Sequence, residues 1–185
     1  MHNTTNRPIQ TMNRLIQWFF TPPDDAAPPA TILIRLMAGG VFVGEGLLKF
    51  VFPATLGVGR FHALGIPAPA LMATFVGLVE LVGGTLFLLG WFTRLAAIPL
   101  MIDIVVAILS TKIPLWLGTS PLPLPPVPPQ VGVWAVVHEI RSDVAQLLCS
   151  GFLLLVGAGP WALDALLARR RPQTRARLEP EVVVR

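Results

Sequence analysis

The chain has 185 residues, of which 54% are hydrophobic and 13% charged, with a formal net charge of +4. Soluble domains carry about 25% charged residues, so this balance excludes an ordinary water-soluble domain and, with apolar runs of about 20 residues, places the chain in the membrane class. The excess positive charge is local: Arg169, Arg170, Arg171, Arg175 and Arg177 crowd the C-terminus, where a basic cluster after a hydrophobic run reads as a cytosolic flank facing anionic lipid rather than nucleic acid.

Cysteine and histidine narrow the chemistry further. Cys149 stands alone, so no intrachain disulfide and no CxxC redox or zinc pair exists. His2, His62 and His138 are scattered without ligand spacing, and no metal site is expected.

In chain order, residues 1–30 read as a cytosolic and interfacial segment. Within it Arg14 to Phe20 (RLIQWFF) is a short amphipathic piece suited to lie on the cytosolic leaflet. Pro22, Pro23, Pro28 and Pro29 then break the chain, and Asp24 and Asp25 suit the approach to a helix N-terminus. The first spanning helix is expected over about 31–52, with Pro53 ending it and Gly40 and Gly44 offering a small-residue packing face. Residues 54–69, punctuated by glycine and proline, read as an interfacial loop or half-helix. A second span is expected over about 70–89 and a third over about 95–115, joined by the tight Gly90–Arg94 turn. The PLPLPPVPP stretch inside 117–132 should be extended rather than helical, and able to cover one mouth of a bundle. Helical character resumes at Val133, with a fourth span over about 138–157, a short amphipathic end, and a basic cytosolic tail over 168–185. The expected fold is therefore all-α: an integral membrane four-helix bundle, multi-pass in the inner (plasma) membrane, with both termini cytosolic by the distribution of Lys and Arg.

The candidate site comes from charges placed where they are costly. On a helix turning 100° per residue, Arg35, Phe42, Gly46 and Lys49 fall within roughly 60° of one another, with Glu45 roughly 40° from Lys49. The next two apolar runs each carry one acid near the middle, Glu80 and Asp103. A charge at the bilayer centre costs about 3 kcal/mol on insertion scales, and pairing lowers that cost. Glu80 and Lys49 are expected as a polar pair, with Glu45 and Asp103 as proton-handling neighbours. A static clamp between helices is the competing reading. Arg35, near the cytosolic end, reads as a headgroup anchor that snorkels. His138 and Glu139 read as solvated interface residues, with proton entry as their alternative role. Asp164 is expected to pair with Arg169 or to cap the last helix.

The assembled residues resemble the DoxX family of small four-helix membrane proteins. The likeness rests on Arg35, Gly39, Phe42, Gly46 and Lys49 in the first helix, and on Phe61-His62-Ala63-Leu64-Gly65-Ile66-Pro67 after it. It continues through Gly77-Leu78-Val79-Glu80-Leu81-Val82-Gly83-Gly84, Leu89-Gly90 and Thr93-Arg94-Leu95-Ala96-Ala97, and closes on Gly157-Ala158-Gly159-Pro160-Trp161-Ala162-Leu163-Asp164. It covers the bundle, about Leu33 to Leu167 within the expected 31–167 membrane domain, and departs from the family in the proline-rich connection and the arginine-rich tail. The resemblance implies a redox-associated membrane subunit that binds a quinone or similar lipophilic molecule between its helices, with redox-enzyme partner subunits and homo-oligomers as expected company. A small proton-coupled transporter and a non-catalytic scaffold for redox partners are the alternatives. The residues specify neither a substrate nor catalysis.

Overall fold

The structure is a computed structural model that describes residues 27–169. The Arg14–Phe20 piece, Asp24, Asp25 and the tail from Arg170 onward lie outside the described residues. All regular structure among the described residues is helical. The helices are α1 (Thr31–Val51), α2 (Val58–Ala63), α3 (Pro69–Leu89), α4 (Thr93–Leu117), α5 (Val133–Glu139), α6 (Arg141–Val156) and α7 (Leu163–Arg169).

Three of these, α1, α3 and α4, are long and apolar enough to cross a membrane. At 1.5 Å per residue, 21 residues reach about 30 Å, the thickness of the hydrocarbon layer. Their outer faces carry large apolar side chains in the open, such as Leu33 at 66% exposed, Leu71 at 64% and Ile102 at 59%. In water such a surface would aggregate; against lipid it is the expected exterior.

Small residues set how closely α1 and α3 approach. A Cβ added at Gly39 would stand 2.8 Å from the Gly84 carbonyl oxygen, and one at Gly46 would stand 2.8 Å from that of Gly77. The packing seam is thus Gly39 and Gly46 against Gly84 and Gly77. Gly40 and Gly44, expected to form it, face open space: they sit one or two residues round the helix, about 100–200° from the contact line. Around the seam, Phe42 and Phe87 meet edge to face with centroids 6.1 Å apart. Ala96, Ala97, Leu100, Ile104 and Leu153 bring α4 and α6 into the same core.

The third span departs from the expected 95–115. It runs from Thr93 to Leu117 and contains one π turn, Ile108–Lys112. The Ser110 and Thr111 hydroxyls donate to the Ala107 carbonyl at 3.3 and 2.7 Å, supplying polar partners where the ladder is widened. The fourth helical region also differs from the single span expected over 138–157. It breaks at Ile140 into α5 and the 16-residue α6, whose first turn holds Asp143, an acid favoured at a helix N-terminus. Residues 54–69 contain the short α2, the half-helix alternative. The proline-rich connection has no regular structure and is pinned to the bundle by a bond from Gly132 N–H to the Leu115 carbonyl, 3.3 Å.

α6 returns the chain to the end where α1 begins. Gly159 there packs on Thr31, and Arg35 reaches the carbonyls of Ala158 and Trp161. The connections holding α2 and the proline-rich segment occupy the opposite end.

Candidate functional site

The close α1–α3 seam lets a side chain on one helix reach straight across to the other. Lys49, in the last turn of α1, sets its Nζ 2.5 Å from Oε2 of Glu80, midway along α3. Both side chains are largely buried, 13% and 7% exposed. Asp103 on α4 lines the same cavity as Glu80. Glu45, one turn before Lys49, is exposed at the rim of the same space. The four sequence candidates Glu45, Lys49, Glu80 and Asp103 therefore line one cavity of about 370 Å³.

The cavity is amphipathic. Phe42, Phe61 and Ile104 give it apolar wall, while Val41 and Val106, 41% and 52% exposed, stand both on its lining and on the outer surface. Its polar side holds the Glu80 and Asp103 carboxyls, the Lys49 ammonium in contact with Glu80, and the hydroxyl oxygens of Ser110 and Thr111 from α4. Such a set can bind a molecule with a polar head and an apolar remainder, and can pass a proton between Glu80 and Asp103.

Four contributors were not singled out from sequence. Gln146 on α6 is buried and donates through Nε2 to the Ala38 carbonyl at 3.1 Å, while its Oε1 faces no protein donor. The signal was a lone amide in an apolar run, which in a membrane helix favours an interhelical bond. Lys112 and Asp143 lie 3.4 Å apart across α4 and α6, and Arg60 on α2 lines the same cavity. On a regular helix Lys112, nine residues past Asp103, would fall about 180° away. The extra residue of the π turn holds the rotation back by about 100° and brings Lys112 to the cavity.

Arg35 lies elsewhere and does not snorkel. It is 2% exposed and spends its guanidinium on four carbonyls. Nε donates to Phe87 at 2.9 Å, Nη2 to Leu88 at 2.7 Å, and Nη1 to Ala158 at 3.2 Å and Trp161 at 3.1 Å. Phe87 and Leu88 are in the last turn of α3, whose end carries no basic residue of its own. A residue of α1 thereby caps the C-terminus of α3 and ties the 158–161 turn to it. Headgroups are the preferred partner of a lone arginine, but here the protein supplies enough oxygens to hold it inside.

Gly90, at φ 67°, ends α3 with bonds from Gly90 N–H to Phe87 and from Trp91 N–H to Leu86. Asp164 fastens the turn that follows: its Oδ2 accepts the Phe92 N–H at 3.0 Å, and its own N–H donates to the Gly90 carbonyl at 3.2 Å. Burial pushes the Asp164 carboxyl above the usual range, against the opposing pull of Phe92 N–H and Arg35. His138 and Glu139 contact each other at 3.3 Å and are 49% and 37% exposed, and neither lines the cavity of Glu80.

Membrane-length helices with lipid-ready exteriors, packed on glycine around a polar cavity, define a helical integral membrane protein. The chain belongs to the DoxX family: the family profile, described as DoxX, matches residues 30–113. The chain is 45% identical over 155 residues to an uncharacterized membrane protein, Rv3486, of Mycobacterium tuberculosis, covering 81% of this chain and 88% of that one. It is also 31% identical over 83 residues, 45% of this chain and 60% of the other, to a Bacillus subtilis protein that carries the name "Putative oxidoreductase CatD". No solved structure matches.

Proposed function

We propose that this protein is a redox-associated subunit of the plasma membrane whose cavity binds a quinone or a similar lipophilic molecule. α6 makes the fourth crossing in this reading, and both termini face the cytosol. The observation that carries the proposal is the buried Glu80 paired with Lys49, with a half-buried Asp103 on the same cavity, which also reaches the outer surface at Val41 and Val106. An intramembrane ionisable group is by default a functional one, and a rim of exposed apolar residues leaves a lipid tail a way out. The name carried by the Bacillus subtilis relative also favours redox chemistry.

The residues present suit a quinone head. Lys49 would donate to a carbonyl oxygen, Phe42 and Phe61 would flank a ring, and 370 Å³ is within the range of small-molecule sites. A quinone supplies reversible two-electron, two-proton chemistry when bound. The chain's part is to hold the proton: Lys49 contacts Glu80, and Asp103 and the rim residue Glu45 line the same cavity as further carboxyls that could accept one. Redox partner subunits would supply and remove electrons.

The test is extraction of lipids from the purified protein. A stoichiometric quinone in the parent, lost in a folded Glu80→Gln variant, supports the reading. A quinone retained at equal stoichiometry in that variant places the site elsewhere.

A further inference from the structure

A second cavity of about 320 Å³ lies beneath the proline-rich segment, roofed by Ser120 and residues 122–126 and walled by Thr55 and Glu139. Three residues line both this cavity and the one that holds Glu80: Arg60, Thr111 and Lys112. The two spaces therefore meet at a neck made by α2 and the π turn of α4. Every side chain of the neck is polar, an expensive choice at a membrane-embedded helix end unless water reaches it.

We infer that water and protons reach Glu80 and Asp103 from the proline-rich end of the bundle, through the second cavity and the Arg60–Thr111–Lys112 neck. Several features support the path. The π turn exists at this point and rotates Lys112 inward, where it pairs with Asp143 rather than facing lipid. The roof is held over its cavity: Gln130 Nε2 bonds to the Pro125 carbonyl at 3.0 Å, Ser120 Oγ accepts the Leu122 N–H at 3.2 Å, and Gly132 is tied to Leu115. Prolines lack N–H groups, so Pro121, Pro123, Pro125 and Pro126 bring no backbone donors that would need satisfying beside an apolar surface. The ionisable groups facing Glu80 from each packed element are Lys49 and Glu45 on α1, Arg60 on α2, Asp103 and Lys112 on α4, and Asp143 on α6. At the opposite end Arg35 and the 158–164 turn are drawn together by hydrogen bonds. The inference does not depend on the cavity taking a quinone.

The experiment is thiol labelling in sealed vesicles of sorted orientation. Cys149→Ala removes the one native thiol. Val76→Cys then reports on the inner cavity from a position that lines it but not the second one. A membrane-impermeant methanethiosulfonate should modify it from the side that exposes the proline-rich segment and not from the other. Adding Thr111→Trp should slow that reaction at least 10-fold. Ser110→Cys serves as the reporter where Val76→Cys fails to fold. Modification by N-ethylmaleimide but not by the impermeant reagent, labelling from the opposite side, or an unchanged rate in the Thr111→Trp background each overturns the inference.

Discussion

Arg35→Met isolates what a buried arginine does in this bundle. The substitution keeps an unbranched side chain in the same place and removes the donors that serve Phe87, Leu88, Ala158 and Trp161. The bonds to Phe87 and Ala158 are buried; the Phe87 carbonyl keeps the Gly90 N–H when Arg35 is removed, whereas the Ala158 carbonyl loses its arginine donor. An unsatisfied buried acceptor at Ala158 costs about 1–3 kcal/mol and the lost charge-assisted bond to Phe87 about 1.5–3 kcal/mol more, offset in part because the variant no longer buries a charge. The expected loss is about 3 kcal/mol, read as a shift in the unfolding midpoint when mixed micelles are titrated with SDS. Arg35→Lys should recover less than half of it, because an ammonium has three donors on one atom and cannot span carbonyls from two separate elements. A loss below about 1 kcal/mol in Arg35→Met, or full recovery in Arg35→Lys, would refute the account of Arg35 as a fork-shaped tie.

Other outcomes follow from the same geometry. Gly84→Val should push α1 and α3 apart, since a Cβ there meets Val43 N at 2.8 Å and Gly39 O at 2.9 Å, both backbone; overpacking of this kind costs about 1–3 kcal/mol or more, whereas Gly40→Val should be near neutral in the same titration. Lys49→Met should cost about 3–5 kcal/mol by orphaning the acid, while Lys49→Met combined with Glu80→Leu should recover most of that stability yet bind no quinone. For Asp164, a carboxyl raised in the folded state contributes stability that is complete below its unfolded pKa and lost as pH rises through the folded one. Stability followed upward from about pH 4 should therefore fall, and Asp164→Asn should flatten that slope.

Helix content and the meeting of Lys49, Glu80 and Asp103 on one cavity were readable because both rest on composition and on spacing along regular helices. The reading stopped where a side chain's fate depends on distant backbone. Arg35 looked like a headgroup anchor, since nothing nearby in sequence tells that the ends of α3 and α6 bring four carbonyls to it. Gly40 and Gly44 have the spacing of a packing motif, yet Gly39 and Gly46 make the contact, because the partner's own glycines decide which face is used. Lys112 was unreachable for a different reason: periodicity assumes a constant 100° step, and the π turn breaks it. The fourth span, expected over 138–157, falls on α6, Arg141–Val156, and only its start after the Ile140 break was not marked by hydropathy.

The reach of Arg35 also sets an order on biogenesis. Its residue enters the membrane with the first hydrophobic segment, but two of its four acceptors, Ala158 and Trp161, belong to nearly the last part of the bundle to be synthesised. Until the ribosome has released that stretch, the first helix carries a cation with half of its partners missing. A chain truncated before residue 158 would leave that cation with the Phe87 and Leu88 carbonyls alone. The first helix is therefore fully matched only once the last turn of the bundle is in place.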